Sequence, residues 1–171
     1  MKMKVSVMLA ALSLLTSVSM AQDLPKKVED IDIFTLKNEP TRIPHFGEKN
    51  LMIFYVDPQA HKQNEAFTYE LEETHRAEGP NIVGFGILNL KDAWYPNGLV
   101  RKMARKRTEK NGALVLADPK HLLRDAWDLG DCNDKFVLLI VSKEGELVFM
   151  RKGEFSEQDK ADFFEVVEKY K

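Results

Sequence analysis

Leu51-Met52-Ile53-Phe54-Tyr55-Val56 and Phe136-Val137-Leu138-Leu139-Ile140-Val141 decide the fold. Each is a run of six apolar residues with nothing polar interleaved. A strand with one wet face alternates apolar and polar side chains, whereas a strand covered on both faces does not. Both segments therefore predict strands buried between two layers. A third run, 82–88, is looser and carries Gly84 and Gly86, and 113–116 reads as a short strand. Upstream, 31–36 alternates, and the turn Lys37-Asn38-Glu39-Pro40 returns it through 41–43 as a hairpin.

Between these runs lie amphipathic segments with readable starts. Asp57-Pro58 closes the first buried strand and opens a helix whose stripe is Ala60, Asn64, Phe67, Leu71 and His75, because proline suits a first helical turn. Asn97 is the expected cap of a second helix with Leu99, Val100, Met103 and Ala104 inward. Asp118-Pro119 repeats the pattern for a third, which buries Leu122, Leu123, Ala126 and Trp127 and stops at Gly130. Ser156 caps the last helix, with Phe163, Phe164, Val167 and Tyr170 as its core stripe. Ser142-Lys143-Glu144-Gly145 joins 136–141 to 146–150 as a tight hairpin.

The chain has 171 residues with 25 Lys+Arg against 27 Asp+Glu, a net charge of −2. A balanced composition that is 44% hydrophobic excludes a disordered acidic tail, a histone-like polycation and a collagenous repeat. The first 21 residues read as a cleaved leader: Lys2 and Lys4 are its basic start, 5–15 its apolar stretch, and Ser19-Met20-Ala21 the small-x-small cleavage site before Gln22. The apolar stretch is too short for a spanning helix, which needs about 20 residues. Removing 1–21 takes two lysines and no acid, leaving 23 basic and 27 acidic residues. The expected product is one domain, 22–171, exported to the periplasm and not membrane-spanning. Its acidic balance argues against nucleic acid as a partner.

The element order, a β-α-β half followed by a β-β-α half, is the thioredoxin arrangement, and the N-terminal hairpin resembles the extension of the peroxiredoxin and TlpA branches. Phe46-Gly47-Glu48-Lys49-Asn50-Leu51-Met52-Ile53-Phe54 is similar to the approach to a TlpA-like active site. The mature chain further resembles the YtfJ family of exported bacterial proteins. The matching stretches are Asp92-Ala93-Trp94-Tyr95-Pro96-Asn97-Gly98-Leu99-Val100, Leu116-Ala117-Asp118, Ala126-Trp127-Asp128-Leu129, Val137-Leu138-Leu139-Ile140-Val141 with Glu144-Gly145, and Lys152-Gly153-Glu154. The resemblance implies an α/β, thioredoxin-like fold and a periplasmic address, and it brings no catalytic residue with it. The sheet it implies is mixed, five-stranded and flanked by helices. In it 51–56 and 136–141 are adjacent, antiparallel and central.

A thiol oxidoreductase of this fold needs a thiolate at the start of the helix after the first central strand, where the helix dipole lowers its pKa, and a cis-proline facing it. This chain has Asp57-Pro58-Gln59-Ala60-His61-Lys62 at the first place and Lys135-Phe136-Val137 at the second. A peroxiredoxin's Thr-x-x-Cys is missing too. Cys132, the one cysteine, lies in the loop Gly130-Asp131-Cys132-Asn133-Asp134, expected on the same sheet edge. It reads either as a reactive thiol forming a mixed disulfide or as a small loop residue, with Asp131 and Asp134 expected to raise its pKa.

His45, His61, His75 and His121 show no metal-ligand spacing and read as surface or boundary residues. The cations Arg101, Lys102, Arg105, Lys106, Arg107 and Lys110 read as a solvated outer helix face, or else as a site for a phosphate-bearing lipid, lipopolysaccharide or an acidic partner protein. Trp94-Tyr95 reads as a lid on the core or as a contact surface. No catalytic residue, metal or cofactor is expected. Two functions remain. One is a binding or adaptor protein that holds a periplasmic protein, peptide or small ligand at Asp57, Pro58, Gln59, His61, Trp94, Tyr95, Asn133, Lys135 and Phe136. The other is an enzyme with non-thiol chemistry, or with Cys132 as a lone redox residue.

Overall fold

The structure, a computed structural model, describes residues 23–171. The expected leader lies outside the described residues. In chain order the elements are β1 (Lys26–Lys27), β2 (Asp32–Thr35), β3 (Pro40–Arg42), β4 (Asn50–Val56), α1 (Glu65–Thr74), β5 (Ile82–Asn89) and α2 (Asn97–Asn111). They continue with β6 (Val115–Asp118), α3 (Leu122–Ala126), β7 (Phe136–Val141), β8 (Glu146–Lys152) and α4 (Glu157–Tyr170).

All eight strands form one sheet in the order β1-β8-β7-β4-β5-β6-β2-β3. As expected, β4 and β7 are central neighbours, antiparallel from Leu51↔Val141 to Val56↔Phe136, and β4 runs parallel to β5 from Asn50↔Ile82 to Val56↔Leu88. The five-strand expectation falls short by three. The hairpin β2–β3 joins the same sheet through Phe34↔Ala117 and Thr35↔Leu116, and β1 pairs with β8 at the far edge. The edge of β6 would otherwise be open, and Ile33, wholly buried in β2, carries the hairpin onto it.

The missing alternation in β4 and β7 has its cause in two cores. Leu51, Ile53, Tyr55, Val137, Leu139 and Val141 pack on one face with Ile33, Leu123, Trp127, Leu129 and Cys132. Met52, Leu138 and Ile140 pack on the other with Phe67, Leu71, Phe149, Phe163 and Val167 from α1, β8 and α4. Full burial of such a side chain contributes about 1.5–3 kcal/mol. The turn into β8 requires glycine: Gly145 has φ +74°, and a Cβ there would stand 3.1 Å from the Val28 carbonyl oxygen.

Three helices differ from their expected form. After Asp57 a single 3-10 turn, Pro58–Ala60, is separated from α1, which starts only at Glu65. Asn64 breaks the run with φ 60°; its side-chain amide donates to the Gly153 carbonyl at 2.8 Å and accepts from Phe155 N–H at 2.8 Å. His75 is the exposed C-cap, so only Ala60, Phe67 and Leu71 of the stripe are buried. In α2 the N-cap is Pro96, with no side-chain cap, and Asn97 is the first helical residue. Val100 and Ala104 pack inward against Leu36, Leu90 and Ala117, but Leu99 and Met103 are 47% and 66% exposed. Arg101 and Arg105 take the inner flank instead of the outer face. The Arg101 Nε is buried without a partner, and Arg105 donates to the Leu36 carbonyl. Ala126 of α3 is likewise exposed, while Leu123 and Trp127 fill the core.

Candidate functional site

Asp57 ends β4 wholly buried. Its Oδ1 accepts from Gln59 N–H at 3.0 Å and its Oδ2 from Asp134 N–H at 3.0 Å, while its own N–H donates to the Lys135 carbonyl at 3.1 Å. Burial pushes the Asp57 pKa up, against the pull of the two backbone donors. Gln63 adds a second stitch: its amide donates to the Asp134 carbonyl at 3.0 Å and accepts from Phe136 N–H at 3.0 Å. With its amide nitrogen toward Asp57 Oδ1, Gln59 also accepts from Trp94 N–H at 2.6 Å. One carboxylate and two amides thus tie the turn after β4 to the loop before β7 and to the Trp94 loop.

The expected residues are brought together only in part. Asp57, Pro58, Gln59 and Lys135 meet at this edge, as does the backbone of Trp94. His61 is exposed beside it, its Nδ1 2.7 Å from the Pro58 carbonyl oxygen. The rings of Trp94 and Tyr95 are 81% and 61% exposed, so neither is a lid on the core. Lys135 pairs with Asp131, which lies well below the usual carboxylate range because of that partner, and Asn133 faces solvent. Phe136 does not belong to a binding surface: its side chain is buried, edge-on to Phe54 and Phe155.

Cys132 is not on the edge either. It is wholly buried in the core beneath the loop, its Sγ 3.5 Å from the Gly130 carbonyl oxygen. Burial pushes the thiol up to about 11, with Asp131 adding to the rise and Lys152, Arg124 and Lys135 opposing it. Burial, more than the flanking acids, raises it.

A second polar group is buried nearby, of which the sequence shows only Asp118, as the start of a helix. At the carboxyl ends of the parallel strands, Asp118 is wholly buried and caps α3: it accepts from Leu122 N–H at 2.8 Å, Leu123 N–H at 3.0 Å and the Tyr55 hydroxyl at 3.1 Å. Burial, then Asp118, drives the Tyr55 pKa far up, so the hydroxyl stays a donor. Beside it, Asp92 Oδ2 is 2.8 Å from His121 Nε2 and accepts from the Asn89 amide at 2.7 Å. Asn89 is wholly buried, and its Oδ1 has no partner. The acid-then-proline at Asp118 was the available signal; the pairing of residues 92 and 121 had none. Among the described residues no three His, Cys, Asp or Glu side chains converge as metal ligands. His45 and His75 are instead paired locally with Glu48 and Glu78.

A central antiparallel pair, two parallel crossovers and a C-terminal β-hairpin followed by a helix are matched by many solved structures. The chain has a thioredoxin-like fold. A DsbF homologue from Corynebacterium diphtheriae superposes with a TM-score of 0.60 at 13% identity, over 84% of this chain and 87% of that one. The pneumococcal exposed lipoprotein thioredoxin from Streptococcus pneumoniae gives 0.56 at 14%, over 81% and 99%. Peroxidoxin BcpB from Mycobacterium tuberculosis gives 0.55 at 16%, over 84% and 94%. No family model matches the chain, and no curated protein sequence does. At these identities the likeness is one of fold. In this thioredoxin-like frame the turn that follows the central strand β4 is the one that begins with Asp57.

Proposed function

We propose that this is an exported, thioredoxin-fold binding or adaptor protein without thiol–disulfide turnover. It holds a periplasmic protein, peptide or small ligand at the edge formed by Asp57, Pro58, Gln59, His61, Trp94, Tyr95, Asn133 and Lys135. The observation that carries this reading is Asp57. Where an oxidoreductase of this fold would set an exposed thiolate, a buried carboxylate is consumed by three local hydrogen bonds, two of them from backbone amides. The raised pKa of Cys132 leaves almost no thiolate at neutral pH, and attack on a disulfide needs the thiolate. The two exposed aromatics beside the edge supply apolar contact area. The reading includes a leader over 1–21 and a domain over 22–171, supported by the leader-like sequence and by the resemblance to the exported YtfJ family.

Insulin reduction and peroxide consumption, each with a Cys132→Ser control, test the absence of turnover. Neither activity is expected above background, and turnover that disappears in the control overturns the reading. Native co-purification with mass identification should recover a bound partner that Trp94→Ala loses, and N-terminal sequencing of the exported protein should begin at Gln22. The Cys132→Ser protein is expected to fold at a cost of about 1–2 kcal/mol, because a hydroxyl replaces a buried thiol.

A second reading, an enzyme with non-thiol chemistry, is favoured by the mostly buried Asp92–His121 pair and the unpartnered Asn89 Oδ1 at the strand ends. Ligand sites of open α/β sheets lie at such ends. If His121→Ala abolishes the principal function while Trp94→Ala spares it, this second reading replaces the first.

A further inference from the structure

We propose that the outer face of α2 docks this protein on an anionic phospholipid surface. The inference stands apart from the binding edge and uses none of its residues. Turned away from the packed residues Val100 and Ala104, the stripe Leu99, Met103, Lys106 and Lys110 follows spacings of four, three and four, one helix face. Lys102 and Arg107 flank it, and all six side chains are exposed. Over α2 as a whole, Arg101, Lys102, Arg105, Lys106, Arg107 and Lys110 stand against Glu109 alone, a local +5 in a chain whose total is −2.

Three features separate this face from an ordinary wet helix surface. First, among the described residues Lys102, Lys106, Arg107 and Lys110 have neither a carboxylate partner nor a side-chain hydrogen bond. Second, two large apolar side chains stand out among the cations, Met103 at 66% exposure. Third, Met103, Lys106, Arg107 and Lys110 line a shallow, open hollow, with no deep cleft to receive a partner's side chain. A bilayer surface suits all three. Its charge is diffuse, it needs no matching pocket, Leu99 and Met103 enter the acyl boundary, and the long cationic stems reach back to the phosphates. Among the described residues no helix is long and apolar enough to cross the bilayer, so the contact is peripheral.

Vesicle co-sedimentation tests this on protein purified from an exporting host, with every variant in the same processed form. Vesicles of phosphatidylcholine with one quarter phosphatidylglycerol are compared with pure phosphatidylcholine. Each Lys or Arg near an anionic surface is worth about 1 kcal/mol, or about fivefold in binding. We expect at least tenfold tighter binding to the anionic vesicles, weakened by salt. Lys106→Glu with Lys110→Glu should lose at least tenfold, and Leu99→Ser with Met103→Ser several-fold with every charge kept. The matched α4 pair, Lys160→Glu with Lys169→Glu, should bind as the parent. Unfolding curves establish that each variant folds before its binding is compared. The proposal is overturned by absent or charge-indifferent binding, by equal loss in the α4 pair, or by full retention in the Leu99/Met103 variant. Tighter capture by polyglutamate would assign the face to an acidic protein, and salt-sensitive self-association without lipid would assign it to a second copy; either outcome overturns it.

Discussion

Helices α2 and α4 are nearly the same length, 15 and 14 residues, and the protein holds them in opposite ways. In α4 the Ser156–Asp159 capping box satisfies the first turn, Phe163 and Val167 are wholly buried, and Lys160, Lys169 and Lys171 each find a glutamate three or four residues away. In α2 no residue is buried, no side chain caps the start, and among the described residues Lys102, Lys106, Arg107 and Lys110 make no ion pair. Tertiary burial makes most of a helix's stability. The difference shows that α4 is part of the core while α2 is carried by it, leaving its far side free for other purposes.

Phe163→Ala should produce the largest effect, about 3–5 kcal/mol in a urea unfolding curve, from a deleted ring that now meets Phe67, Phe149 and Phe164 edge-on. A loss below about 1 kcal/mol would break the contrast. Next comes Asp159→Asn, which removes the negative charge and one of the two acceptor oxygens that serve the Ser156 amide and Arg151, 2.8 Å away, at roughly 1.5 kcal/mol near pH 7. The Asp159 pKa is held down by the Ser156 hydroxyl first, then by the Ser156 amide and Arg151, against burial. A depressed carboxylate contributes stability above its unfolded pKa of about 3.9 and loses it as pH falls through its folded value. The parent and Asp159→Asn unfolding curves should therefore converge in acid below about pH 4; a constant gap would show that charge is not involved. Ser156→Ala should cost about 1 kcal/mol by thermal or urea melting. The smallest effects belong to α2: Leu99→Ala and Met103→Ala should each stay within about 0.5 kcal/mol. A larger value for either would mean that α2 is anchored through its outer face.

Much of this was legible along the chain, for reasons that also explain the rest. The unalternated runs 51–56 and 136–141 report burial on both faces, and the structure puts them side by side at the centre. Periodicity could not show that α1 begins at Glu65, because Ala60, Phe67 and Leu71 keep their phase across a break made by Asn64 bonding to residues 89 and 91 positions away. It misjudged α2 because the helix covers only a sheet margin. The packed centre lies at Val100 and Ala104, and of the two flanks that helical phase places equally far from it, Arg101 and Arg105 are half-buried while Leu99 and Met103 are exposed. At the candidate site, Asp57 was visible as an acid before a proline and the burial of Phe136 was implied by the run 136–141, but the burial of Cys132 depends on how a loop folds over a core. The Asp92–His121 contact joins two loops that only the sheet brings together.

The two outermost strands of the sheet decide how this protein can meet other chains. β1 is two residues long and consists of Lys26 and Lys27; β3 is three residues long and opens with Pro40 and closes with Arg42. Short edges bearing lysine, proline and arginine are poor templates for another strand. A peptide that lengthened the sheet at β1 or β3 would find only two or three residues of backbone to pair with, which disfavours that mode at these strands and favours contact through side chains. The same termini guard against runaway stacking. A chain cut after Ile43 loses β1, β2 and β3, uncovers the backbone of β6 and β8, and should form fibrils where the whole protein stays dispersed.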